Sequence, residues 1–173
     1  MFVDRALAAR DHGDDIGYHL WAATAMEVLG KAALSSIHPT LVADPSHLNS
    51  LVTAAGKSVG TDHRSITAKT VFERLQLVVP SFEKKMSDEC MLMANRRNAE
   101  LHSGETPIVG LNIQTWVPHY WRSVDAIVSF QGKSLEDLVG PDEASRVREI
   151  LRDAAELTRQ TVLARIQRRK SEI

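Results

Sequence analysis

Arg97, Asn98 and His102 sit close together in the run MLMANRRNAELHSGE. A guanidinium matches phosphate oxygens bidentately and keeps its charge when partly desolvated. An imidazole takes or gives a proton near neutral pH, and a carboxamide beside them can orient either partner. These residue types suit phosphate binding coupled to proton transfer, and none of that chemistry requires a metal. Glu27 and Lys31 form a second pair, the only charges between Leu20 and Leu34. Four apart with the acid first, they read as an ordinary helical ion pair. Yet Glu27 shares a stripe with Leu20, Ala23, Gly30 and Leu34, which sets its carboxylate beside packed surface. Arg97, Asn98 and His102 are therefore the candidate catalytic residues, with Glu27 and Lys31 in support.

The helix that must position the first set opens at Ser81-Phe82 and stops at Ser103-Gly104. On a 3.6-residue period Phe82, Met86, Cys90, Met93, Arg97 and Leu101 form one stripe, with the arginine in line with five core residues. An arginine there needs something anionic against it. Arg96 falls on the outer side of the same helix, where Glu100 is available four residues on. Ala94, Asn98 and His102 make a second row beside the stripe.

The Arg-Asn-x-x-x-His string, with a small-residue stop after it, resembles the R-x(4–6)-H motif of the HEPN superfamily (higher eukaryote and prokaryote nucleotide-binding domains). The segment A-M-E-V-L-G-K-A-A-L is similar to the first core helix of many such domains. The likeness covers residues 15 to 131 or so and leaves the last helix out. It implies a metal-independent endoribonuclease, with two protomers bringing their motifs to a shared cleft. Arg97 would stabilise the phosphate, His102 would transfer protons, and Asn98 would orient either. The implied partners are RNA, a second copy of the chain, and an antitoxin or second defence-system protein. The same resemblance leaves open a non-catalytic reading, because many HEPN-like domains are binding or dimerisation modules of larger defence or toxin–antitoxin systems.

Composition limits the function classes. A chain of 173 residues reads as one domain or a domain plus an extension. The net charge of -1 and pI near 6.7 give no global basic field, which disfavours a protein that coats nucleic acid. Cys90 is the single cysteine, so there is no disulfide framework and no cysteine-based zinc site. Neither a signal sequence nor a membrane-length apolar run is apparent, and the expected compartment is the cytoplasm. The other histidines (His12, His19, His38, His47, His63 and His119) lack metal-ligand spacing and read as surface or helix-end residues. No cofactor motif and no metal site is found.

The pattern predicts an all-α, antiparallel helical bundle over 1–140 and a long C-terminal helix over 141–173. Helices are expected at 2–10, 15–37, 67–79, 82–103 and 115–131, with a short turn ending at Gly140. Asp44-Pro45 is expected to start another, with Leu48, Leu51, Val52 and Ala55 as its apolar face. The stretch KSVGTDHRSI reads as a mobile polar loop. The helices at 15–37 and 82–103 are expected to pack antiparallel, with Cys90 and Met93 between helices. Trp116, Tyr120 and Trp121, together with the terminal helix, exceed what one bundle of this size must bury, which points to a two-fold homodimer.

Overall fold

Side-chain caps, prolines and glycines set several of the element boundaries in the computed structural model, which describes residues 1–171. Helix α1 (Phe2–Asp11) leads into α2 (Asp15–Ile37), where the Asp14 carboxylate accepts the Gly17 N–H at 2.8 Å. His38 is extended ahead of Pro39 and ends α2. After a short 3-10 turn come α3 (Leu48–Ala54) and α4 (Ala68–Val78), the latter capped by the Thr67 hydroxyl. Helix α5 (Lys84–His102) is followed by α6 (Val117–Phe130), whose Pro118 lies in the first turn, where its missing N–H costs nothing. Helices α7 (Leu135–Val139) and α8 (Pro141–Ser171) complete the all-α chain. Among the described residues no strand forms; a single antiparallel bridge joins Ala43 to Ser65. No described helix is long and apolar enough to cross a membrane.

Two compact units result, residues 1–134 and the described residues from 135 on. The last two positions expected in the terminal helix lie outside the described residues. In the first unit α2 is the axis, packing against α1, α4, α5 and α6. Its buried residues, among them Tyr18, Ala22, Ala25, Met26, Ala33 and Leu34, are spread around the helix rather than along one stripe, the pattern of a central helix. Small residues allow close approach. A Cβ added at Gly30 would lie 2.6 Å from Val71 Cγ1 and 2.9 Å from Leu75 Cδ1 on α4.

Several expectations change. Trp116, Tyr120 and Trp121 are all buried in the core of a single chain, and so offer no surface to a second copy. Helix α3 starts at Leu48, not at Pro45, because the Asp44 carboxylate is taken up by the N–H and hydroxyl of Ser46. Leu48 is exposed and Ser50 is buried instead, its hydroxyl accepting the Arg64 N–H at 2.7 Å. The loop after α3 is therefore tied down at its far end, where Ile66 N–H also bonds Val42 C=O. Helix α5 begins at Lys84, not at Phe82. Pro80 keeps Val79 extended, and Phe82 is planted in the core by a turn that ends before the helix starts. Cys90 and Met93 are buried as the stripe requires, but Leu101 is 57% exposed: the last turn of α5 outruns its cover. In the second unit Leu135, Ala144 and Val147 are buried, whereas Leu157, Thr161 and Ala164 of the expected stripe are exposed.

Candidate functional site

Glu27 and Arg97, 70 residues apart in sequence, meet where α2 crosses α5, with Arg97 Nη1 3.0 Å from Glu27 Oε2. Lys31, one turn beyond Glu27, places Nζ 2.8 Å from Oε1. One carboxylate is thus shared by two cations, one on each oxygen. Burial pushes the Glu27 carboxyl up, but the hydrogen bonds from Lys31 and Arg97, with their charges, outweigh it and hold the group below its ordinary value. The side chains of Arg97 and Glu27 are 14% and 17% exposed, so the pair is shielded without being sealed from solvent. Asn98 accepts from Arg97 Nε at 3.2 Å and Nη2 at 3.0 Å through the same Oδ1, which fixes the plane of the guanidinium. Lys31 Nζ also donates to the Ser65 hydroxyl at 3.0 Å, tying the loop before α4 to the cluster.

Four of the five expected residues (Glu27, Lys31, Arg97 and Asn98) therefore come together. His102 does not join them. It is the last residue of α5, exposed, and its ring has no hydrogen bond or ion pair among the described residues. Five residues of α-helix turn it about 140° from Arg97 and carry it ~7.5 Å along the axis. Gly104, at φ +72°, turns the chain away just past it.

Arg96 is not on an outer face. It is half-buried and borders a pocket of about 40 Å3 with Glu89, Leu92, Met93, Thr115, Trp116 and His119. Glu100 is occupied elsewhere, accepting the Ile108 N–H at 3.3 Å. The reason is that α5 has neighbours on several sides, α2, α4 and α6 among them, so a one-stripe reading leaves too much of it in solvent. Next to this pocket lies His19, fully buried against Trp116 with ring centroids 4.9 Å apart. Neither of its ring nitrogens has a hydrogen-bond partner. Burial first, and the Arg96 charge second, lower its pKa from 6.5 to about 4. Glu89 Oε1 approaches His119 Nδ1 to 3.0 Å across the same pocket. Sequence spacing had no means of finding this group, because its members come from different helices. The one signal was a histidine inside the most apolar helix of the chain.

Among the described residues no three His, Cys, Asp or Glu side chains converge as metal ligands. Comparison with known proteins finds no matching family model, no matching curated relative and no matching solved structure.

Proposed function

We propose that the chain is a metal-independent endoribonuclease of HEPN type, a cytoplasmic toxin or defence effector that works as a two-fold dimer. What supports the reading is the charge balance around Glu27. Arg97 and Lys31 share a single carboxylate, so the cluster keeps one positive charge in excess, and Asn98 aims the guanidinium that carries it. One hydrogen on each terminal nitrogen of Arg97 remains for a phosphate oxygen. His102 lies round the helix from Arg97, so proton transfer and phosphate binding meet through the partner chain rather than within one. In the reaction the His102 imidazole takes the 2′-OH proton, the 2′-oxygen attacks phosphorus as the bond to the 5′-oxygen breaks, Arg97 stabilises the charge on the phosphorane, and the imidazolium so formed gives its proton to the leaving 5′-oxygen.

The test is incubation of purified protein with single-stranded RNA in the presence of chelator. Cleavage that survives chelation and leaves 2′,3′-cyclic phosphate ends is the expected outcome. A requirement for added divalent metal, or a strict monomer that still cleaves, rejects the dimeric mechanism.

One observation favours a second reading, the non-catalytic module. Arg97 is already engaged by Glu27 and Asn98, and His102 stands apart from it. On that reading the cluster is a structural clamp between α2 and α5. No RNA is cut, and Arg97→Lys affects stability alone.

A further inference from the structure

From Ala155 to Arg169 every side chain of α8 is exposed, yet this part of the helix is not polar all round. Leu151, Ala155, Val162 and Ile166 recur at steps of four, seven and four, and so fall within about 60° of one another on the helix. Val162 and Ile166 remain 48% and 46% exposed. Arg165 and Arg169 share a shallow groove with them, and Arg148 and Arg152 border Leu151 and Ala155. Charge is segregated along the helix. Between Leu157 and Ser171 there is no acidic residue, against Arg159, Arg165, Arg168, Arg169 and Lys170. Among the described residues no carboxylate pairs with Arg165 or Arg169.

We propose that this face docks an acidic amphipathic helix of a partner protein, independently of whether the Arg97 cluster is catalytic. The spacing of the apolar positions is that of a helix-pairing seam; Arg165 and Arg152 flank it, each about 40° outside its two edges, while Arg148 and Arg169 lie on the same arc at its two ends, so a facing helix must carry charges of the opposite sign. A second copy fits poorly, since pairing the exposed halves of two α8 helices sets arginine against arginine in either direction. A membrane surface also fits poorly: interfacial helices anchor with bulky apolar and aromatic residues, whereas this chain has no aromatic after Phe130 and alanine at one of four stripe positions. Nucleic acid would engage the arginines but leave the apolar stripe uncovered and find no ring to stack on.

The probe is a synthetic helix of about four heptads with leucine and isoleucine on its seam and glutamate beside it. Titrated into the full chain and followed by fluorescence anisotropy, it is expected to bind saturably and more weakly as salt rises. Val162→Glu with Ile166→Glu should weaken binding about tenfold or more, as should Arg165→Glu with Arg169→Glu. A probe carrying lysine in place of glutamate should ignore the wild type and bind the charge-reversed variant. All four positions are solvent-exposed, so the bundle should fold in both variants, and unchanged circular dichroism checks this. Equal binding of both probes to the wild type overturns the proposal. So does absence of binding, tighter association with phosphatidylserine vesicles or RNA lost in the same variants, or a dimer abolished by Val162→Glu with Ile166→Glu.

Discussion

Arg96 and Arg97 are neighbours in the chain, but they leave α5 toward different stretches of α2. Arg97 reaches Glu27, whereas Arg96 acts on His19, eight residues earlier and ~12 Å away along the helix. At Arg97 the polar atoms are answered: each Glu27 oxygen meets a cation, and Asn98 and Ser65 take up further donors. Around Arg96 they are not, since both His19 nitrogens and Glu89 Oε2 are buried without a partner. A satisfied cluster with charge to spare can receive an anion at little reorganisation cost, the condition for transition-state stabilisation. An unsatisfied one stores sensitivity to protonation instead. Two identical side chains, one residue apart, thus contribute to different properties.

The largest effects should separate the two sides by activity. His102→Ala is expected to reduce RNA cleavage about 10²–10⁴-fold, the usual contribution of a general acid or base. Its exposed position should leave the thermal midpoint unchanged, so a large fall in that midpoint would place the side chain in the structure rather than the chemistry. Arg97→Lys should cost about 10²–10³-fold, because an ammonium cannot reproduce the fork held between Glu27 and Asn98. Lys69→Ala, on an exposed stretch of α4, is the control and should retain activity. If Arg97→Lys cleaves as well as the wild type, the cluster is only a clamp.

On the Arg96 side the readout is pH. His19 is held below its unfolded value, so between about pH 6.5 and 4 the unfolded chain binds a proton that the folded chain refuses. Its neutral form is therefore compatible with full stability above that window, and stability is lost as pH falls through it, by on the order of 3 kcal/mol if the whole shift is expressed. Denaturant titrations at pH 7.5 and 4.5 should show the loss, and His19→Leu should remove most of it. An unchanged pH dependence in His19→Leu would assign the loss to carboxylates. Arg96→Gln should raise the folded-state pKa only modestly, because burial is the larger cause. The smallest expected effect tests the frame common to both sides: Gly30→Ala should destabilise by about 1–3 kcal/mol, since α4 must shift to admit the methyl group.

Where sequence alone sufficed, the determinants were local. The bounds of α2 at 15 and 37 and the stop of α5 before Gly104 were legible, because proline and glycine geometry acts within a few residues. The Glu27–Lys31 pair is likewise a matter of helical spacing. Its closure on Arg97 was suggested only by an arginine lying in a buried stripe, and its link to Ser65 by nothing in the pattern. Arg96 and Leu101 were misplaced for complementary reasons. The periodicity of one helix reports how apolar each face is, but not how many neighbours cover it or where that cover stops. The orphaned polar atoms around His19 belong to side chains on α2, α5 and α6, and no spacing within one helix encodes that meeting.

Cys90 gives the bundle an internal clock. It is the only sulfhydryl in the chain and is 2% exposed, and burial pushes its thiol up to about 12 despite the nearby Ser123 hydroxyl. A thiolate at neutral pH is therefore scarce, and an alkylating reagent gains access only when the helices around it part. The rate of modification of the native protein then measures how often the bundle opens, in the manner of amide exchange. Read at a single atom, it needs no introduced label and leaves Arg97, His102 and α8 untouched.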